Sequence, residues 1–167
     1  ATNVNIAAPV HSATTRASSR GHIDTVAYLI EAKADINENN GKPVRLAAQE
    51  GQQDTLQVLL EAKADAARPD RNGCTPLMVA VDENSPDLVK TLLSAPTSAG
   101  IDAQDSAGCS ALHVAVQQVY EDPLDRRASV EILRLLLQAK ATVDCRLQVG
   151  ATPLFLAVQN ADKECAA

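Results

Sequence analysis

Residues 75–80 read TPLMVA, and versions of this phrase recur along the chain at nearly constant spacing. Residues 110–115 read SALHVA, residues 152–157 read TPLFLA, and a weaker copy at residues 42–47 reads KPVRLA. A Pro directly after a Thr favours the start of a helix, because the first helical position needs no backbone N–H. The recurrence therefore predicts an array of repeated structural units, each with a helix beginning at this phrase.

A second phrase recurs in the other half of each unit. Residues 28–37 read YLIEAKADIN, residues 58–65 read VLLEAKAD, and residues 136–144 read LLQAKATVD. The paired apolar residues in this phrase indicate a second helix with a buried face. Each unit is therefore predicted to hold two helices.

The two helices of a unit need a tight turn between them, and the residues there suit one. Gly21 and Gly51 occupy this position, and Asn84 replaces Gly in the third unit. Gly and Asn adopt a positive φ more readily than other residues. The substitution of Asn for Gly is therefore consistent with an unchanged turn.

Together the two phrases resemble the ankyrin repeat, whose signature is T-P-L-H-x-A on a period of 33 residues. The spacing from Gly51 to Asn84 is 33 residues, and the resemblance covers roughly residues 9–161. It implies an all-α ankyrin-repeat solenoid of stacked helix-turn-helix units with projecting loop fingers. It also implies a protein-binding module.

The resemblance assigns roles to two kinds of residue. His113 occupies the His of the family phrase, where it implies hydrogen bonds from loop to loop. Lys33, Lys63 and Lys140 replace the family's Gly after the second helix. A left-handed conformation there costs a non-Gly residue about 1 kcal/mol, and the helix dipole offsets part of this for Lys.

The register of the phrases divides the chain into units. Residues 1–8 are the tail of a preceding unit or an N-terminal extension. A degenerate first repeat spans 9–37, and complete repeats span 38–66, 67–102 and 103–144, followed by a partial fifth repeat at 145–167. The loop at 38–41 is predicted to be shortened, because the first two turn glycines are only 30 residues apart.

The core is expected to consist of small and aliphatic side chains, since the chain has no Trp and one Phe. Ser85 and Ser129 are expected to be the N-caps of the second helices in the third and fourth repeats. The residues expected to be buried in these two repeats are Leu77, Val79, Ala80, Val81, Leu88, Val89, Leu92, Leu93, Val130, Ile132, Leu133, Leu136 and Leu137.

Composition and motifs argue against several classes of function. The formal net charge of −6 disfavours nucleic acid as a partner, because phosphate binding depends on Lys and Arg. No apolar run approaches the ~18 residues of a membrane span, so we expect no direct membrane insertion. No phosphate loop, metal-spaced cluster or nucleophilic His or Cys arrangement is visible. We therefore expect no enzymatic activity, no cofactor and no metal.

The four cysteines are expected to be free thiols. Cys74 and Cys109 stand at the same position in adjacent loops. Neighbouring units stack at about 10 Å, beyond the ~7 Å that a disulfide allows between Cα atoms. This predicts an intracellular, reducing compartment, either the cytoplasm or an organelle interior. A zinc site built from Cys74, Cys109 and Cys145 is the alternative.

The partner surface implied by the resemblance is the finger tips together with the solvent side of the first helices. Its residues here are Arg45, Gln49, Glu50, Arg68, Arg71, Asn72, Cys74, Asp82, Glu83, Ser106, Ala107, Cys109, Gln117 and Gln118. The fifth unit adds Gln148, Val149, Gln159 and Asn160.

Arginines are concentrated on the N-terminal half of this surface, where we expect Arg16, Arg20, Arg45, Arg68 and Arg71. Arg is enriched in interface hot spots, so we hypothesise that the partner contributes an acidic segment. The alternative is a solvated charged face without a partner.

A nine-residue insertion lies near 118–128 in the fourth repeat, where the family has a tight turn. Tyr120, Leu124, Arg126 and Arg127 make it a candidate second contact site, and a tolerated loop extension is the alternative. The sequence RRAS at 126–129 also matches a basophilic kinase site at Ser129. Phosphorylation there would have to expose the turn that Ser129 caps.

Three functional hypotheses follow. The first is a non-catalytic module that binds a partner protein, as part of a complex. The second is a permanent structural subunit of a large, possibly organellar, assembly. The third is the regulatory ankyrin segment of a longer enzyme or channel. The absence of an initiator Met fits a cleaved targeting segment or a fragment.

Overall fold

The structure is a computed structural model that describes residues 13–95, 99–121 and 126–166. All regular elements in these ranges are α-helices. The inner row consists of α1 (Ala13–Ser19), α3 (Glu38–Gln49), α5 (Pro76–Asp82), α7 (Ala111–Glu121) and α9 (Pro153–Ala166). The outer row consists of α2 (Ile23–Glu31), α4 (Gln53–Glu61), α6 (Pro86–Leu93) and α8 (Arg126–Gln138).

The helices form two stacked layers. Each inner helix packs on the next inner helix, and each outer helix packs on the next outer helix. Helices α1, α3, α5 and α7 each also pack on the outer helix that follows them in the chain. The predicted fold class, an all-α solenoid of helix-turn-helix units, is confirmed.

The core runs along the length of the stack between the two layers. Small residues of the recurring phrase, Ala47, Ala80 and Ala115, are buried where inner helices meet. Leu59 and Leu92 are fully buried on the outer helices. Small side chains on one layer and Leu on the other let thin helix pairs pack closely, so stability is spread along the array.

Two residues expected in the core of the fourth repeat are at the surface. Val130 and Leu137 are 41% and 50% exposed, whereas Ile132 and Leu136 of the same helix are buried. The prediction was wrong for Val130 and Leu137 because α8 packs on α6 and α7 with a narrower face than its apolar stripe suggests.

The helix starts of the third repeat agree in part with the predicted caps. The Thr75 hydroxyl accepts a hydrogen bond from the Met78 backbone N–H at 3.3 Å, and Pro76 is the first helical residue. Ser85 stands at the N-cap of α6 with an extended backbone, but its side chain makes no capping bond. Pro86 therefore begins α6 without the predicted hydroxyl contact.

Both predicted sets of left-handed positions are confirmed. Asn84 has a φ of +48° in the turn between α5 and α6. Lys33, Lys63 and Lys140 have φ values of +59°, +64° and +64° directly after second helices. Their backbone N–H groups each bond a carbonyl three residues earlier, as left-handed helix ends do.

The junction of the first two repeats replaces a finger with a short left-handed turn. Asn39, Asn40 and Gly41 have φ values of +49°, +63° and +73°. The buried Glu38 carboxylate just before them accepts bonds from the Thr15 backbone N–H at 2.9 Å and hydroxyl at 2.6 Å. The Glu38 carboxylate thus joins the first repeat to the second where no finger does.

The insertion of the fourth repeat mostly lengthens its two helices. Helix α7 continues to Glu121 and α8 begins at Arg126, so an extended loop was the wrong prediction for residues 118–121 and 126–128. Residues 122–125, including Leu124, lie outside the described part of the chain, as does the side chain of Tyr120.

The early start of α8 moves Ser129 into the helix, so its predicted N-cap role is wrong. Ser129 is fully buried, and its hydroxyl donates to Asn84 Oδ1 at 3.1 Å. A kinase would have to open the first turn of α8 to reach this hydroxyl, and phosphorylation of Ser129 stays a prediction.

Candidate partner-binding surface

Three fingers project from the stack between one unit and the next: the first finger (residues 66–74), the second finger (103–109) and the third finger (145–151). Each is closed by the same two backbone bonds. In the first finger the Asp70 N–H donates to the Cys74 carbonyl at 2.9 Å, and the Gly73 N–H donates to the Asp70 carbonyl at 3.1 Å. These bonds hold each finger as a tight hairpin turn.

An aspartate stiffens the first two fingers. Asp70 Oδ1 accepts from the backbone N–H groups of Asn72 and Cys74, at 2.8 and 3.0 Å. Asp105 makes the equivalent bonds in the second finger. One oxygen of each carboxylate is therefore engaged in holding its own finger. Their identical position in two repeats is the signal that could have revealed this role.

The third finger lacks this aspartate, because Leu147 occupies the position. There the Arg146 guanidinium donates to the Gly150 carbonyl at 3.3 Å. Gln104 Nε2 of the second finger donates to the Arg146 carbonyl at 3.0 Å. The third finger is therefore held by one of its own side chains, Arg146, and by Gln104 of the second finger.

Backbone bonds join neighbouring fingers. The Ser106 N–H donates to the Asn72 carbonyl at 2.8 Å, and the Gln148 N–H donates to the Ala107 carbonyl at 2.9 Å. Asn72, Ser106 and Ala107 were predicted partner contacts, and their backbones also build the ladder that fixes the spacing of the finger tips.

His113 ties the second and third fingers together. Its Nδ1 lies 2.8 Å from Ser110 Oγ and accepts the Ser110 backbone N–H at 3.2 Å, while Nε2 lies 3.4 Å from the Ala151 carbonyl. This arrangement requires the neutral ring with its proton on Nε2. Burial lowers the pKa of His113, which favours the same neutral form. The predicted role of joining loop to loop is confirmed.

Acidification is expected to destabilise the protein through His113. Because the pKa is lower in the folded state, the unfolded chain binds more protons as the pH falls below about 6.5, and stability decreases until the folded-state pKa is passed. We expect His113→Gln to remove this loss, while lowering stability at pH 7.5 by about 1–3 kcal/mol. Urea unfolding from pH 7.5 to 5 measures both effects. The exposed His22, as His22→Gln, is the control, and an unchanged pH slope in His113→Gln would contradict the assignment.

The predicted partner residues divide by exposure. The exposed ones are Gln49, Glu50, Arg68, Arg71, Asn72, Asp82, Glu83, Ser106, Ala107 and Gln117. The half-buried ones are Arg45, Cys74, Cys109 and Gln118. Gln118 Nε2 donates to the Asp82 carbonyl at 3.1 Å and lies 3.3 Å from its carboxylate, so the third and fourth repeats form one continuous polar surface.

Arg68 is less available than the sequence suggested. Its guanidinium lies 3.6 Å from the Asp65 carboxylate and donates to the Asn37 carbonyl at 3.4 Å. Arg68 therefore connects the first finger to the ends of the first and second repeats. Arg71, at the exposed tip of the same finger, is the better candidate for a partner contact.

Arg45 has an unsatisfied buried donor. Its Nε atom is buried and makes no hydrogen bond among the described residues. Arg45 lies on the inner helix α3, close enough to Cys74 for its charge to favour the thiolate. Since Nε has no contact with solvent, only the exposed remainder of this half-buried side chain can meet a group from outside the protein.

Cys74, Cys109 and Cys145 are free thiols in the structure. Burial raises the pKa of all three thiols. The negative charges of Asp70 and Asp105 raise the pKa of Cys74 further. Asp105 also acts on Cys109, and the pKa of the Cys109 thiol is raised to about 11. They are therefore neutral near pH 7 and poor nucleophiles. The side chain of Cys165 lies outside the described part.

Among the described residues, no group of three or more His, Cys, Asp or Glu side chains is placed to hold a metal ion. No described helix has both the length and the apolar character to cross a bilayer.

Sequence reasoning missed a group of exposed apolar residues at the C-terminal end of the stack. Leu154, Phe155 and Val158 of α9 lie at the surface, next to Val149 of the third finger. Their counterparts in the recurring phrase of the third and fourth repeats are buried, for example Leu77 and Leu112.

Comparison with known proteins supports the repeat assignment. A family model for ankyrin repeats in three copies matches residues 4–70 and 46–125, and a single ankyrin-repeat model matches residues 107–146. The chain belongs to the ankyrin repeat family. Ankyrin repeats are generally protein–protein interaction modules and typically have no catalytic activity.

One curated relative matches part of the chain. The chain is 33% identical over 94 residues to the mouse protein named B-cell lymphoma 3 protein homolog. The matched stretch covers 54% of this chain and 19% of the relative. The chain therefore spans about a fifth of the length of that relative.

Proposed function

We propose that this ankyrin array binds a partner protein through its finger tips and the exposed side of its inner helices, without chemistry of its own. The continuous surface from Arg45 to Gln118 supports the proposal, since backbone ladders and side-chain bonds hold its parts at constant spacing. A rigid surface loses little conformational entropy on binding, so few side chains can supply the affinity.

We further propose that the partner contributes an acidic segment to Arg45 and Arg71. The observation that carries this is the exposure of Arg71 at the tip of the first finger, on the same N-terminal half of the proposed surface as the half-buried Arg45 on α3. A carboxylate from the partner would form a charge-assisted hydrogen bond with an accessible guanidinium N–H group. Arg16, Arg20 and Arg71 are exposed on the same N-terminal half and would extend the attraction. The free thiols fit the proposed reducing compartment.

The test compares tagged wild-type protein with Arg45→Glu/Arg71→Glu as bait from the native source. We expect the variant to retain at least tenfold less of a specific partner, because charge reversal turns two attractive contacts into repulsive ones. The partner is then purified and its affinity measured by calorimetry at two salt concentrations.

The matched control is Lys90→Glu/Arg134→Glu, which makes the same charge change on the exposed sides of α6 and α8. It should bind as the wild type does. Equal recovery of the partner by Arg45→Glu/Arg71→Glu would refute the acidic-segment proposal. Native mass analysis of the same samples separates a permanent subunit, with fixed stoichiometry, from a transient module.

A further inference from the structure

The dipeptide Asn-Gly occurs twice in the chain, at Asn40-Gly41 and at Asn72-Gly73. In such a pair the backbone nitrogen of Gly can attack the side-chain amide of Asn, because glycine has no Cβ to hinder ring closure. Both asparagines lie at the surface of the protein. The two sites share the same local chemistry, so a difference in their reactivity has to come from the fold.

The fold holds the side chain of Asn40 in place. Asn40 Nδ2 donates to the Pro69 carbonyl, so the group that would leave in the reaction is hydrogen-bonded. Gly41 is buried, its N–H donates to the Asn37 carbonyl at 3.0 Å, and a Cβ placed on it would lie 3.0 Å from Arg68 Cβ. Ring closure at this site would therefore break two hydrogen bonds inside a packed junction.

The side chain of Asn72 is not held in this way. Asn72 lies at the exposed tip of the first finger, where its N–H donates to Asp70 Oδ1 and its carbonyl accepts from the Ser106 N–H. Its side-chain amide makes no hydrogen bond to a described residue. The half-buried Gly73 donates its N–H to the Asp70 carbonyl at 3.1 Å, within the turn that forms the tip. Local opening of an exposed loop tip costs little free energy, and it releases this nitrogen.

We propose that Asn72 is a site of spontaneous modification, at which deamidation converts the tip of the first finger to an acidic form. The Gly73 nitrogen loses its proton and attacks Asn72 Cγ, and the bond from Cγ to Nδ2 breaks. The amide nitrogen leaves as ammonia with that proton, and a succinimide ring remains. Water then opens the ring at one of its two carbonyls and leaves either aspartate or isoaspartate at position 72.

Both products place a carboxylate next to the exposed Arg71 of the proposed partner surface. This carboxylate competes with an acidic segment of the partner for the Arg71 guanidinium and repels that segment, so binding weakens as the protein ages. The effect on binding rests on the proposed partner-binding function, whereas the reaction itself depends on this chain alone.

The isoaspartate product also changes the backbone. It inserts the Cβ methylene of Asn72 between positions 72 and 73, beside the contact of Gly73 with the second finger. A Cβ placed on Gly73 would lie only 2.8 Å from Asp105 Cα, so a longer backbone here has to displace the second finger. The bond from the Ser106 N–H to the carbonyl of position 72 is then weakened.

The test incubates the full-length chain at mildly alkaline pH, with and without urea, until Asn72 in the urea sample is fully converted. Peptide mapping by mass spectrometry, with digestion at acidic pH, measures the exchange of an amide NH2 for OH at each asparagine. We expect Asn40 and Asn72 to convert at similar rates in urea. In the native protein we expect Asn72 to convert at least tenfold faster than Asn40, and hydrogen exchange of the Ser106 amide to speed up as isoaspartate accumulates.

The effect on binding is measured with Asn72→Asp as bait, because this variant carries the added charge without the change in the backbone. We expect it to retain at least threefold less partner than the wild type. Gln138→Glu is the matched control, since it adds the same charge at an exposed position on α8. It should bind as the wild type does.

Three results would overturn the proposal. The first is an Asn72 that stays intact in the native protein after the urea sample has reacted completely. The second is equal conversion of Asn40 and Asn72 in the native protein. The third is full recovery of the partner by Asn72→Asp when Arg45→Glu/Arg71→Glu loses it. Full recovery by both variants refutes the acidic segment instead, and the mass measurement then decides the modification by itself.

Discussion

Leu136→Ala is expected to lower the free energy of unfolding by about 2–5 kcal/mol, the range measured for Leu truncations in closed cores. Leu136 is fully buried on α8, which packs on both α6 and α7. Its removal leaves a cavity at the junction of two outer helices and one inner helix. Because solenoid stability is a sum of unit and interface terms, the loss falls on two interfaces at once.

Leu137→Ala supplies the control one residue away. Leu137 has the same helix propensity and the same chemistry but is 50% exposed, so we expect a loss of about 1 kcal/mol or less. Urea unfolding followed by circular dichroism measures both variants, since the chain has no Trp for fluorescence. Equal losses in the two variants would contradict the packing of α8 described here.

Gly73→Ala is expected to cost about 2–4 kcal/mol, of which about 1 kcal/mol is backbone strain at positive φ and the rest is the clash. The new Cβ would lie 2.8 Å from the Asp105 Cα and 3.2 Å from the Ser106 nitrogen. Backbone atoms cannot rotate away, so the second finger must move off the first. The bond from the Ser106 N–H to the Asn72 carbonyl is then lost.

Gly51→Ala isolates the strain from the clash. Gly51 has a φ of +69° and open space at its Cβ position, so only about 1 kcal/mol is expected. Hydrogen exchange of the Ser106 amide reports the finger ladder directly. It should become fast in Gly73→Ala and stay protected in Gly51→Ala. A Ser106 amide that stays protected in both variants would show that the fingers are not coupled through Gly73.

Much of the fold could be predicted from local signals. The start at Thr75-Pro76, the turn at Asn84 and the left-handed Lys63 are each decided by the residue's own backbone preferences. The recurring phrase then set the pairing of helices, because identical local signals at a repeating interval produce identical units. The role of His113 in joining two loops could be predicted because the resemblance to the ankyrin repeat implies it at this position of the phrase.

The candidate site was less predictable, for physical reasons visible in single residues. Arg68 and Arg71 look equivalent in sequence, but only the folded chain brings Arg68 to Asp65 and the Asn37 carbonyl. The unsatisfied Nε of Arg45 likewise depends on which neighbours surround it. Ser129 was predicted to be the N-cap of α8, but α8 begins at Arg126 and so includes Ser129.

The helices, their turns and their order in the stack follow from the amino-acid sequence, because these depend on φ preferences and on apolar periodicity within a few residues. Which apolar residues are covered depends on tertiary packing. Leu136 and Leu137 differ through the packing of α8 on its neighbours. Met78 is buried because α5 packs between α3 and α7, whereas Phe155 is exposed on α9, whose inner-helix neighbour among the described residues is α7 on one side. Burial of a helix face depends on which helices pack against it, and the recurring phrase does not specify those helices.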